Sequence, residues 1–393
     1  VCRLGAGYFT VTTEQETIVF LQRSRRGRVL LASLFTGDPG AGGFNLPRGM
    51  AITCPTTGRT SQTSASTLRT GFGANAARAR SVNGAVWGLS VESARTNVVA
   101  APSDFSSGSW TKTTGVVGTA ATTDLLDPAG ANGATRLAYD GSGTAGNTRV
   151  VQSTGVTPGN GVAYCMSWWA RMLTGTRTID GHLNLPSTIV HTTFTSTWQR
   201  FDGTDNGNGT FALQFNLTDA TLNSAFNAYC FACQDELGKY PSSAFTGARA
   251  ADVLSLSSPS AIAPAGYFDL SLVVAPHYAT AEQGADHNLL YFDANNRLFL
   301  RQSDAKLVLR LAGANNTVSS ALTWSRETAL RIRARHTPRE QVLEVLGATT
   351  GNGVASAAAA AAISLPATAY LLGSSTGAEE SSSLYAVQFQ RPI

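Results

Sequence analysis

The sequence predicts an all-β protein: two tandem β-sandwiches of jelly-roll type behind an extended amino-terminal anchor region. Three observations carry this reading. Short apolar runs recur between Gly/Asn/Asp turns such as PGNG at 158–161 and DNGNG at 205–209. Charged residues are only 14% of the 393, with Gly, Ala, Ser and Thr in their place, whereas a long-helix protein needs Glu, Lys, Arg and Leu in bulk. Hydrophobic residues, at 43%, suffice for sizeable cores.

The elements follow in order. Residues 1–90 read as an anchor and oligomerisation region. Within it, 11–20 and 29–35 have strand character, GDPGAGG at 37–43 is a turn or linker, and a Thr/Ser-rich extended tract follows. The basic cluster RSRRGR at 23–28 reads as a solvated turn. Residues 91–246 form the first sandwich, with strands at 150–153, 162–171, 188–194, 198–202, 210–217 and 228–234. In YCMSWWA at 164–170, period two puts Tyr164, Met166 and Trp168 on one face and Cys165, Ser167 and Trp169 on the other; aromatics on both faces predict a central strand. Residues 247–393 form the second sandwich, with strands at 267–274, 288–292, 297–302, 306–311, 329–336, 342–346 and 385–390. FDANNRLF at 292–299 is a hairpin signal. ALRIRARH at 329–336 alternates as a half-buried strand with Arg331, Arg333 and Arg335 on one face. The alanine run at 357–362 fits a short helix best by propensity, with an apolar strand as the alternative.

Composition narrows the function classes. A net charge of +4 is too mild to imply nucleic-acid binding. No apolar run of 18 residues predicts membrane insertion, and no signal-peptide pattern opens the sequence. The five cysteines form no dense framework, which fits folding in a reducing cytoplasm. Cys230 and Cys233 have redox-motif spacing, yet they lie in an apolar strand with no second pair for zinc, so they read as buried thiols. A bridge from Cys165 to either of them stays open. Glycoside cleavage needs two carboxylates facing one bond. Asp235 and Glu236 are adjacent on a strand and point to opposite faces. The five histidines show no metalloenzyme spacing. The expectation is therefore no catalytic residue and no enzyme.

GLSVESARTN at 88–97, DFSSGSWTK at 104–112, the aromatic strand at 164–171, WQR at 198–200 and ACQDELGKYPSSAFT at 232–246 occur in that order. Together with LPRGM at 46–50 they resemble the carbohydrate-binding jelly rolls of bacteriophage virion proteins. One departure is ACQ at 232–234, where Gly-Ala-Gln is usual. The later strings GYFDLSLVVAP, LLYFDANNRLFLRQ, LRIRARH and TAYLLGSSTGAEESSSLYAVQFQ resemble a concanavalin-like or laminin-G-like sandwich.

The resemblance implies a structural protein of the virion surface: a head decoration, head fibre or tail fibre, made in the host cytoplasm. It implies other capsid or tail proteins and a host surface glycan as partners, with homotrimers formed through residues 1–90. Sugars stack on exposed aromatic faces, and the implied ligand-binding residues are Trp110, Trp169 and Trp198. No cofactor is implied beyond calcium at a sandwich edge, held by Asp127 with Asp140 or by Asp286 with Asp293. The alternatives are a capsid-stabilising cement protein without sugar binding and a polysaccharide-degrading enzyme.

Overall fold

The computed structural model describes residues 8–390 except 13–16, 22–28, 35–45, 47–48, 56–58, 63, 65, 73, 82–87, 120–122, 143–147, 184–187, 211–213, 220–223 and 245. The basic cluster at 23–28 and the turn at 37–43 lie outside the described residues. Among those described, every strand pairing is antiparallel, and the helical elements are 3-10 turns at Pro259–Ala261, Pro264–Gly266 and Thr280–Glu282. The all-β expectation holds.

The first sandwich is two five-stranded sheets. Its front sheet runs Val116–Thr119, Thr135–Tyr139, Phe226–Leu237, Ala163–Met172, Gln199–Asn206. Its back sheet runs Thr111–Lys112, Thr148–Ser153, Gln214–Asp219, Arg177–Leu183, Thr188–Phe194. The strand holding the Trp168–Trp169 pair is an interior one with a neighbour on each side. Trp168 points between the sheets, into a core with Phe215, Ile179 and Phe194. Trp169 points the other way, into a small cluster with Leu68, Tyr229 and Ala244 that covers the outside of the front sheet. The strand is an interior one, as its aromatics on both faces predict, and both of those faces are buried.

Two backbone details follow from this packing. Gly181 lies across the core from Trp168, and a Cβ there would meet the indole at 2.4 Å, so only glycine fits. The pairing of Ala163–Met172 with Phe226–Leu237 slips by one residue between Ser167 and Trp169. The extra residue falls near Ala232, whose φ of 51° is left-handed. This is the position where the resembled family has glycine, and the bulge supplies the physical reason.

The second sandwich packs a seven-stranded sheet against an eight-stranded one around one continuous core. The seven-stranded sheet runs Ala314–Ala321, Lys306–Leu311, Asn296–Arg301, His287–Asp293, Thr368–Leu371, Val253–Ser257, Met50–Thr53. The other runs Gly353–Ala358, Glu340–Leu346, Leu330–His336, Phe268–Pro276, Ser382–Gln390, Gly88–Val91, Arg78–Arg80, with Val29–Leu34 also on Ser382–Gln390. Four of these strands come from residues read as the amino-terminal anchor. They extend sheets whose outermost strands would otherwise present unpaired backbone. Three of them pair across about 200 to 360 positions of sequence, and local patterns carry no sign of that.

Two local expectations are corrected. The alanine run is not helical: Ala357 and Ala358 end the strand Gly353–Ala358 on Glu340–Leu346, where tertiary pairing overrides alanine's helix preference, and 359–362 have no regular structure. Cys165, Cys230 and Cys233 are buried free thiols, so the bridge left open is not formed.

Candidate functional site

The segments that begin and end the first sandwich meet in space. Arg95 and Thr96 form a two-rung ladder with Arg249 and Ala248. Between the sandwiches, Glu92 is fully buried and surrounded by cations. Arg249 Nη1 lies 2.6 Å from its Oε2, Arg78 Nη1 lies 3.5 Å away, and Ser90 and Ser243 donate hydroxyl hydrogen bonds. Arg78 also pairs with buried Asp252 at 2.6 Å, and Asp252 accepts from the Glu92 backbone N–H. Burial alone would raise the Glu92 carboxyl, but Arg249 and Arg78 hold it well below the usual range.

Asn97 completes the set, donating to the Cys233 carbonyl and accepting from the Asp235 N–H, so its side chain replaces a strand partner beside the bulge. Arg326 reaches across with Asp202 at 2.5 Å, and Tyr240 donates to Glu380. The polar residues of SVESARTN thus hold the two sandwiches together.

The three tryptophans expected to bind sugar occupy different places. Trp110 is 3% exposed, edge-on to Phe105 and Phe215, with its Nε1 donating to the Ala101 carbonyl. Trp169 is 1% exposed. A stacked sugar needs an open ring face, so both are core residues, and this corrects the expectation for them. Trp198 is 6% exposed and donates to the Leu126 carbonyl. It lines an open cleft of about 620 Å³ together with Thr67, Arg69, Asp127 and Gly130.

The carboxylates considered for calcium are engaged elsewhere. Asp127 accepts from the N–H groups of Ala129, Ala131 and Gly133, closing a loop. Asp140 accepts from Ser142, Asp293 from Asn295 and Asn296, and Asp286 from Gln302 and Arg297. Among the described residues no group of three or more His, Cys, Asp or Glu side chains is placed to hold a metal ion.

The outer face of the back sheet has a different character. Val150, Ile179, Phe215 and Leu217 point into the core, so their strand neighbours point outward. Register aligns these neighbours in two rows. One is Arg149, Thr218, Asp180 and His191; the other is Val151, Asn216, His182 and Ile189. Asn216 is 1% exposed and Asp180 5%, whereas Arg149 and His191 of the same face are exposed. Thr218 donates to Asn216 Oδ1 at 3.0 Å, and His191 Nδ1 sits 2.9 Å from Asp180 Oδ1. Among the described residues, Asn216 Nδ2 and His182 Nε2 are buried without a hydrogen-bond partner. Burial lowers the His182 pKa, with Asp180 opposing and Arg149 and His191 assisting, so the ring is neutral at pH 7.

A buried polar group without a partner costs about 1–3 kcal/mol, and a ligand hydroxyl in that place would recover it. The face offers an amide donor, an imidazole, a carboxylate and a guanidinium side by side. Sequence reading missed all of them: the Arg177–Leu183 strand contains Asp180 and Gly181, which resemble a turn, and the rows exist only once the register is known.

No family model matches this chain, and no curated protein does. Among solved structures it is similar to the N-terminal CBM22-1–CBM22-2 tandem domain of Xyn10C from Paenibacillus barcinonensis. The identity is 14% over 73% of this chain and 95% of that one, with a TM-score of 0.23, an overlay too loose to transfer fold or ligand.

Proposed function

We propose that this chain is a structural protein of a bacteriophage particle surface, a head decoration, head fibre or tail fibre. Its first sandwich holds host glycans on the outer face of the back sheet. The observation that carries the reading is the outward polar row of Arg149, Thr218, Asp180 and His191, exposed at Arg149 and His191, with the orphan amide of Asn216 beside it. Sugar hydroxyls both donate and accept, and they match a mixed donor–acceptor face better than an acidic partner would. The virion assignment draws on the ordered strings from LPRGM to SSAFT. The partners are capsid or tail proteins, further copies of the chain joined as a trimer through residues 1–90, and a host polysaccharide. A shallow site of this kind binds with about millimolar to micromolar Kd, and copy number multiplies it.

The test displays the full chain on beads and measures capture of host surface polysaccharide, alongside immunogold labelling of particles. Capture that falls at least about tenfold with Asn216→Ala is the expected result. No capture, combined with particles that lose integrity when the protein is deleted, replaces this reading with a cement role.

A further inference from the structure

The second sandwich carries its own strip of exposed side chains, and it contains the aromatic faces that the tryptophans do not supply. On the seven-stranded sheet, Leu298, Leu300, Leu307 and Leu309 point into the core. Register places Arg310, Arg297, Tyr291, Tyr370, Ser255 and Ala51 in one row across six strands of the opposite face. Neighbouring strands lie about 4.8 Å apart, so the row is roughly 24 Å long. Its residues are half-buried, except Ala51 at its end, which is exposed. Tyr291 and Tyr370 face each other directly, with ring centroids 6.3 Å apart. Both are half-buried, and among the described residues no hydrogen bond holds either hydroxyl.

The rest of the strip is pre-ordered. The Arg297 guanidinium lies flat on Phe299, 3.9 Å from the ring centroid, and Arg310 approaches the same ring. Arg297 donates to Asn288 Oδ1 at 3.2 Å and to Asp286 at 3.4 Å, and Asn288 donates to Glu379. Guanidinium stacking and these bonds fix the side chains before any ligand arrives, which reduces the entropy lost on binding. Arg297 and Arg310 stand against Asp286 and Glu379, so charge is balanced along the strip. A polyanion would meet both carboxylates. An uncharged, linear, hydroxyl-rich chain meets two phenol rings and paired polar groups.

We infer that this strip is a second binding face, built for an extended neutral oligosaccharide, with Tyr291 and Tyr370 as the stacking residues. It deepens the glycan-binding reading above and is independent of the Asn216 face. The full-length chain is titrated calorimetrically with xylohexaose, cellohexaose, maltohexaose and mannohexaose, with hexagalacturonate as the anionic comparison.

At least one neutral hexasaccharide is expected to bind. Tyr291→Ala or Tyr370→Ala should weaken it by at least about tenfold, and Tyr291→Phe by less than about threefold, because the ring is kept. Melting curves confirm that the variants fold. The proposal is overturned if no neutral hexasaccharide binds, if the alanine variants bind unchanged, or if hexagalacturonate binds more tightly. It is also overturned if the double alanine variant shifts to a smaller species in sedimentation, since the strip would then cover a second copy. Loss of all sugar binding in Asn216→Ala with the tyrosine variants unaffected removes this face and keeps the first. The opposite pattern keeps this face and removes the first.

Discussion

The junction around Glu92 and the outer face around Asn216 are both polar and both buried, yet they are built on opposite plans. At the junction each charge meets its opposite: Glu92 with Arg249 and Arg78, Asp252 with Arg78, Arg80 with Glu327 at 2.8 Å. The orphan atoms there, such as Arg78 Nε and Arg249 Nε, belong to guanidinium groups paired through other atoms. On the outer face, Asn216 Nδ2 and His182 Nε2 have no hydrogen-bond partner among the described residues. Folding accounts for the first arrangement, because a charge removed from water needs a counter-charge. It does not account for the second, where uncharged groups bear a cost that a ligand or water can remove. The difference separates side chains that hold the molecule together from side chains held ready for a ligand.

The largest expected effect breaks the junction. Glu92→Ala leaves Arg78 and Arg249 buried beside fewer anions and should cost about 3–5 kcal/mol, read as a lowered urea midpoint. A loss under 1 kcal/mol would mean that water compensates the cations and that the junction is not a structural lock.

Asp235 provides an intermediate case. It is buried in the first sandwich with Oδ1 unpartnered, and burial, aided by Glu236, pushes its pKa up to about 8. The folded state therefore keeps a proton that the unfolded chain gives up near pH 4, and stability falls as pH rises from about 4 to about 8. Asp235→Asn removes that slope and should stabilise the protein by about 1–3 kcal/mol at pH 8.5, with little change at pH 4. Glu92 has the opposite sign: its carboxyl is held low, so its contribution is present at neutral pH and lost in acid. Melting temperatures across pH 2–9 for both variants and the parent check the two directions.

The smallest effect is on the outer face. Asn216→Ala removes only the hydrogen bond from Thr218, so stability should change by about 1 kcal/mol or less while glycan capture falls. A large loss of stability would place Asn216 with the junction residues and not with a ligand site.

The sequence made much of this fold legible wherever a pattern is local. The strand at 188–194 coincides with Thr188–Phe194, and the turn in FDANNRLF joins His287–Asp293 to Asn296–Arg301 as expected. The alternation of LRIRARH matches the burial of Leu330, Ile332 and Ala334 against half-exposed Arg331, Arg333 and Arg335. What stayed hidden depends on distance or on a neighbour. Met50–Thr53 finds its partner at Val253–Ser257, some two hundred residues on. Arg177–Leu183 was overlooked because its glycine exists to admit Trp168, a fact of packing that propensity does not register. The Trp168–Trp169 pair marks an interior strand, but not that Trp169 is buried or that Trp198 sits near a cleft. Tyr291 and Tyr370 drew no notice because each is a lone aromatic until the strands align.

The short ladder between Arg95 and Arg249 has a consequence for how such a protein can diversify. Strands of the second sandwich occur both before and after this ladder in the chain, so the first sandwich is an excursion from it that departs and returns at adjacent points. Paired positions of an antiparallel ladder have Cα atoms about 5 Å apart. Any compact unit whose two ends lie that close could plug into the same socket without altering the connectivity of its base. Recombination at these two points would exchange one excursion for another as a cassette and preserve the rest of the molecule.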